Sequence, residues 1–221
     1  LAFEEVWQRW LDDILEDPNM EETVILAISL GLKLDHLKVI ARKFHDNYDL
    51  LGGKEFQDLT LSYPSMVRSL DACGAELQRL CTYSKLGSED PLFDHVDNLF
   101  GVIARLRDFL SDESAGYRLL ARSSSIKFSR GKQGDWDDDP QSGINACKLV
   151  KELLTELQDR VDEELFRVRQ GVLVPLVRSL QEAMLNYARQ RKQEGQAEFH
   201  DLLVWARDLL RDDLQVRDHF R

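Results

Sequence analysis

The sequence predicts an all-α protein: an irregular multi-helix bundle with one long kinked helix and one long disordered or mobile loop. Apolar residues recur at three- and four-residue steps along most of the chain, and the alternating pattern of a half-buried strand is nearly absent. Hydrophobic residues make up 43% and charged residues 31% of the 221 residues, which is ordinary for a water-soluble globular protein.

The first part of the chain predicts three helices. The first has one wide apolar face, formed by Phe3, Val6, Trp7, Trp10, Leu11 and Ile14. Asp17-Pro18-Asn19 ends this helix, and Gly31 ends the second. A third helix begins after Leu34. Residues 47–61 contain a glycine pair and predict a loop.

The middle of the chain predicts further helices followed by the main irregular region. Pro64 lies near the first turn of one helix, and Pro91 opens the next. Residues 123–143 are rich in Ser, Gly and Asp, a composition that buries little apolar surface. We expect this segment to be a long, mobile loop.

The longest predicted helix begins at Ile144. Apolar residues repeat in it at about 3.5-residue spacing, the pattern of a helix hairpin or coiled coil: Val150, Leu154, Leu157, Val161, Leu165 and Val168. Pro175 is expected to kink or break this helix, because proline lacks the amide donor and clashes with the preceding turn. A charged segment then leads into a final helix from Ala197.

Charge and composition restrict the classes of function. The net charge of −11 argues against a surface uniformly adapted to polyanions, so any nucleic-acid contact requires a local basic segment. No apolar run has the length of a membrane helix, and the acidic first segment is unlike a signal peptide. The three cysteines lack C-x-x-C spacing and are expected to be reduced core residues. These features predict a cytoplasmic protein with no membrane partner.

The sequence contains none of the catalytic motifs that indicate a complete active site. The phosphate-binding loop G-x-x-x-x-G-K-[ST], the G-x-S-x-G elbow and H-E-x-x-H are all missing from the sequence, and the five histidines are scattered. Asp137-Asp138-Asp139 are adjacent carboxylates in a predicted loop, which we interpret as solvated rather than metal-binding. We therefore expect no catalytic residue, cofactor site or metal site in this chain.

One basic segment stands out in an otherwise acidic chain. Between Gly116 and Gly134 the sequence has no acidic residue but carries five cations, Arg118, Arg122, Lys127, Arg130 and Lys132. Tyr117, Phe128 and, just beyond, Trp136 are interleaved with them. Cations neutralise phosphates and exposed aromatic rings stack on unpaired bases, so these cations and Trp136 are candidate DNA-binding residues. A plain solvated loop is the alternative, in which Trp136 anchors its own segment.

The final segment carries the most specific pattern. Glu198-Phe199-His200-Asp201-Leu202-Leu203 resembles the D-F-D-D-L-L helix of UvrD/Rep-class superfamily 1 DNA helicases, which precedes the Walker B strand of the first RecA-like lobe. Phe199, Asp201, Leu202 and Leu203 match that motif, whereas Glu198 and His200 depart from it. The opening helix and Leu50-Leu51 resemble the helical 1B insertion of the AddA/RecB-like branch.

The resemblance implies an organisation and a set of partners. Residues 1–195 would be a 1B-like insertion with the loop at about 123–143, and residues 196–221 would belong to the first motor lobe. Because the chain starts at Leu1 and ends at Arg221 within a helical pattern, we expect an internal fragment. ATP and Mg²⁺ would then be bound by the parent protein, an ATP-dependent helicase of DNA repair and recombination. The partners would be DNA contacted without sequence preference, the remaining motor lobes and a nuclease-type subunit.

A function from another class remains open. The chain would then be a helical protein–protein interaction or scaffold module that does not bind nucleic acid. In that case the 3.5-residue seam and Trp7/Trp10 would dock a protein partner.

Overall fold

The computed structural model describes residues 3–53, 56–57, 61–123 and 131–219. Within these ranges the chain forms α-helices and short 3₁₀ turns, and no strand is present. Extended pairing in the same ranges is limited to two isolated bridges, Ser84–Trp136 and Asp138–Asn145. The prediction of an all-α protein is confirmed.

Nine α-helices follow one another in the described part of the chain. They are α1 Phe3–Glu16, α2 Pro18–Ser29, α3 Leu34–Asp46, α4 Tyr63–Cys81, α5 Phe93–Asp108, α6 Glu113–Ser123, α7 Ala146–Glu194, α8 Phe199–Asp212 and α9 Leu214–His219. The helices divide into two compact units. The first unit comprises Leu1–Val24, Leu32–Asp58 and Leu173–Arg221, and the second comprises Ile25–Gly31 and Leu59–Val172.

The first unit has its core on the apolar face of α1. Trp7 and Trp10 are both buried, with their ring centroids 5.1 Å apart. The indole Nε1 of Trp10 donates to Ser179 Oγ of α7 at 3.1 Å, which satisfies the polar atom that burial removes from water. The two tryptophans are therefore core residues, and the idea that they form an exposed docking surface is wrong.

The second unit is built from α4, α5, α6 and the first half of α7. Most of the predicted seam of α7 lies in its core: Val150, Leu154, Leu157, Leu165 and Val168 are buried. Tyr63 is also buried, its hydroxyl donates to the carbonyl of Leu106 at 2.7 Å, and burial raises its pKa to about 12. A Cβ at Gly116 would lie only 2.2 Å from the Tyr63 ring, so glycine is what lets α6 approach this ring.

The helix does not break at Pro175, contrary to one of the two expected outcomes. α7 runs for 49 residues from Ala146 to Glu194 with Pro175 inside it. Pro175 costs the helix one backbone hydrogen bond, because proline has no amide donor. Three apolar residues after it are buried: Leu176, Val177 and Leu180. Apolar packing therefore compensates for the lost hydrogen bond, and tertiary context overrides the local preference.

The expectation of a mobile loop over 123–143 is wrong for its second half. Residues 131–143 include a 3₁₀ turn, Gln133–Asp135, and two bridged positions. Trp136 is 2% exposed and its Nε1 donates to Asp90 Oδ2 at 2.6 Å. This one aromatic side chain fixes a segment whose polar composition alone suggests mobility. Residues 124–130 lie outside the described ranges.

Candidate functional site

The helix that carries the resemblance begins with a reciprocal cap. Glu198 is the N-cap residue of α8, and its amide donates to Asp201 Oδ2 at 2.8 Å. An acidic residue at this third helical position satisfies a backbone donor that the helix itself cannot pair. The carboxylate at position 201 therefore has a local structural role in starting α8.

The second oxygen of Asp201 joins α8 to the end of α7. Arg191 Nη2 donates to Asp201 Oδ1 at 2.9 Å, and Arg191 also forms an ion pair with Glu198. Asp201 is 1% exposed and Arg191 is 4% exposed. Two buried charges of opposite sign satisfy each other here, and without Asp201 the buried Arg191 would keep only the exposed Glu198 as an ionic partner.

Aromatic and histidine side chains enclose this ion pair. The Arg191 guanidinium lies 4.8 Å from the Tyr187 ring centroid, and its Nη1 is 3.3 Å from His45 Nε2. Because a guanidinium only donates, His45 Nε2 is the acceptor. Burial and a hydrogen bond with Asp201 raise the pKa of Tyr48. We call His45, Tyr48, Tyr187, Arg191 and Asp201 the Arg191 cluster.

A second ionic contact holds α8 through His200 and Arg207, which lie on either side of Asp201 in the sequence. Arg207 Nη1 lies 2.6 Å from Asp49 Oδ2, and His200 Nε2 donates to Asp49 Oδ1 at 3.3 Å. Burial acts to raise the pKa of Asp49, but the hydrogen bonds from Arg207 and His200 outweigh it and lower the pKa. A carboxylate at position 200 would face Asp49, which gives a physical reason for histidine where the motif has aspartate.

Most of the large apolar residues of α8 are exposed, whereas Val204 is buried. Phe199 is 76% exposed, and Leu202, Leu203, Leu209 and Leu210 are exposed as well. In α8 only Asp201 and Val204 are buried. The helix thus packs against the rest of the first unit through Asp201 and Val204 and presents an apolar surface, a common feature of interaction sites. We call Phe199, Leu202, Leu203, Leu209 and Leu210 the α8 apolar face.

The candidate DNA-binding cations occupy several places. Arg118 and Arg122 lie on α6, the first half-buried and the second exposed, and Lys132 is exposed ahead of the 3₁₀ turn. Lys127 and Arg130, with Phe128, lie outside the described residues. The described cations therefore flank residues 124–130 on both sides.

Three of the side chains considered for exposed roles are buried instead. Trp136 is enclosed, so of its two interpretations the anchor fits and stacking on a base does not. Tyr117 is buried, and its hydroxyl donates to Glu164 at 3.2 Å. Asp139, which we expected to be solvated with its two neighbours, is buried and pairs with Arg79 Nη1 at 2.7 Å. That ion pair is long-range in sequence, so the run of aspartates does not indicate it.

Potential metal ligands are dispersed over the described part of the chain. Within residues 3–53, 56–57, 61–123 and 131–219, no three or more His, Cys, Asp or Glu side chains are grouped so as to hold a metal. All three cysteines are free thiols, and burial raises the pKa of Cys81 to about 11. None of the helices in these ranges combines the length and apolar character of a membrane span.

The fold and these contacts define an all-α protein with a buried ionic cluster at the α7–α8 junction. Comparisons with protein-family models, curated proteins and solved structures find no match. The sequence pattern indicated two members of the Arg191 cluster, Asp201 through the motif and Tyr187 through the apolar repeat of α7. His45 and Tyr48 carry no local signal, because the chain segment they belong to meets α7 and α8 only in the folded unit.

Proposed function

We propose that this chain is an accessory helical part of an ATP-dependent DNA helicase of the UvrD/Rep class, in the AddA/RecB-like branch. Its role is to contact the DNA backbone without reading sequence while the motor lobes bind ATP and Mg²⁺. Residues 1–195 would form the 1B-like insertion, and α8 would continue into the first motor lobe. A role in DNA repair and recombination, with a nuclease-type partner subunit, belongs to the same proposal.

The arrangement of α8 is the observation that carries the proposal. The residues that match the motif have two different roles. Asp201 attaches α8 to α7 through Arg191, and Phe199, Leu202 and Leu203 belong to the α8 apolar face. A helix that continues into a neighbouring lobe needs both an attachment and an apolar surface for that lobe. The pattern in the sequence and the division of roles support the same interpretation.

DNA contact would be electrostatic. Arg122 and Lys132 are exposed cations, and an arginine or lysine that neutralises a phosphate releases condensed counterions. The affinity therefore falls as salt rises, which a docking interface built from apolar contacts does not show. The alternative, a protein-docking scaffold, was based on Trp7, Trp10 and the α7 seam as a surface for a partner. These tryptophans and most of the seam are buried within the chain, so they do not provide that surface.

The proposal is tested by a fluorescence anisotropy titration with a forked oligonucleotide at about 50 mM and about 200 mM salt, a range over which phosphate contacts are lost. We expect weak, sequence-independent binding that falls steeply with salt. Arg122→Ala combined with Lys132→Ala should weaken this binding. The charge-matched control is Arg9→Ala combined with Arg189→Ala, which removes two exposed arginines elsewhere and should weaken the binding less. Binding that is absent at both salt concentrations would contradict the proposal.

A further inference from the structure

The second unit contains a groove of about 270 Å³ between the start of α4 and the middle of α7. Ser62, Ser65 and Ser69 line it from the α4 side, and Arg160 and Arg167 line it from α7. The two arginines are seven residues apart, two helical turns or about 10 Å, and so project from the same side of α7. The groove thus combines hydroxyl donors on one wall with two cations on the other. We call it the Ser62–Arg167 groove.

The arginines are held in place by weak, replaceable contacts. Arg160 Nη1 donates to Ser69 Oγ at 3.1 Å across the groove, and Arg160 Nη2 pairs with Glu156 at 2.7 Å. Arg167 Nη2 pairs with Glu163 at 2.6 Å. Exposed pairs between helix neighbours contribute little stability. A guanidinium has five N–H donors and can hold a helix neighbour and an anion together.

Two carboxylates that line the groove, Glu163 and Glu164, oppose the binding of an anion. Glu164 is half-buried and accepts the hydroxyl of Tyr117 at 3.2 Å, so it is engaged with α6. Glu163 is exposed and pairs with its helix neighbour Arg167. An arriving phosphate would therefore compete with Glu163 for the Arg167 guanidinium. The carboxylate acts as an internal competitor that lowers the affinity without closing the groove.

We infer that the Ser62–Arg167 groove binds phosphate groups of a nucleic-acid strand, with Arg160 and Arg167 as the cations and the serine hydroxyls as additional donors. The inference rests on the proposed function and identifies a second contact surface for the same partner. The arginines are about 10 Å apart along α7, so each can contact a different phosphate of one strand. Helix α6, which carries Arg118 and Arg122, lies beside this groove through the Tyr117–Glu164 bond.

The test compares single-stranded oligonucleotide binding by the whole chain and four variants over a series of salt concentrations. Arg160→Ala and Arg167→Ala should each lower the affinity on the order of threefold to tenfold and reduce the salt slope by about 0.7. Glu163→Gln removes the competitor and should raise the affinity. Arg9→Ala removes an exposed arginine of the first unit and controls for net charge alone. Circular dichroism and thermal unfolding check that each variant is folded.

The outcomes separate the groove from the proposed function. If the wild-type chain binds and the groove variants match it, or match Arg9→Ala, the groove inference is overturned while the helicase proposal stands. If Glu163→Gln binds the oligonucleotide no more tightly than wild type, Glu163 does not compete with phosphate for Arg167, and Arg167 is not a phosphate-binding residue. If the wild-type chain binds no oligonucleotide even at low salt, both proposals fail.

Discussion

Asp201 and Arg191 form a buried ion pair, 2.9 Å between Oδ1 and Nη2, that joins the start of α8 to the end of α7. The same aspartate accepts the amide of Glu198 through its other oxygen at 2.8 Å. One carboxylate therefore both starts the helix and attaches it. The orientation of the α8 apolar face depends on this residue, since α8 buries little else.

Removing the carboxylate of Asp201 should destabilise the first unit. We expect Asp201→Ala to cost on the order of 3 kcal/mol, because it removes the buried carboxylate that pairs with Arg191 and leaves this buried charge with the exposed Glu198 as its remaining ionic partner. Asp212→Asn, at an exposed position near the end of the same helix, should stay within about 0.5 kcal/mol of wild type. Urea unfolding followed by circular dichroism measures both. Equal effects of the two substitutions would mean that the ion pair does not hold α8.

A new charge should lower the stability strongly at one residue of α8 and only slightly at its neighbour. Leu203 is 54% exposed and Val204 is 6% exposed. Val204→Asp places a carboxylate in an apolar contact and should cost on the order of 3 kcal/mol or more, whereas Leu203→Asp should change the stability by about 0.5 kcal/mol or less. Thermal unfolding of the two variants compares them directly. A large loss in Leu203→Asp would show that the α8 apolar face packs within the chain.

The close approach at Gly116 should not tolerate a methyl group. A Cβ there would overlap the buried Tyr63 ring, so Gly116→Ala should cost about 1–3 kcal/mol through displaced packing. Gly134→Ala is the matched control, since a Cβ at that position meets no atom within 4 Å. Chemical denaturation of both variants provides the comparison. The result would be contradicted by a Gly116→Ala variant as stable as Gly134→Ala.

Asp139 should make the second unit sensitive to acid. The hydrogen bond from Arg79 lowers the pKa of Asp139 from its ordinary 3.8 to about 2, against the opposing effect of burial and with the help of Ser142. A lowered pKa means that the carboxylate contributes its full stabilisation above about pH 4, and that this contribution is lost as the pH falls towards 2. Asp139→Asn should flatten that part of the stability profile, while Asp138→Asn at the exposed neighbouring position should not. Indistinguishable acid profiles for the two variants would refute the assignment.

Most of the secondary structure follows from the sequence because helices are local. The periodic apolar faces of α1, α4 and α7 and the glycine or proline signals between them locate these elements. The errors occur where a distant contact decides the outcome. Trp136 fixes a segment rich in polar residues, because it is stabilised by packing that the local composition does not contain.

The sequence by itself determined the helical class, the long α7, and the motif at the start of α8, since each depends on residues that are close together in the chain. Only the tertiary structure decided which charged groups meet. Arg191 reaches His45, Arg79 reaches Asp139, and Arg160 reaches Ser69 across many intervening residues. Polar contacts of this kind are selected by which helix faces are buried together, and that selection is a property of the packed units rather than of any local pattern.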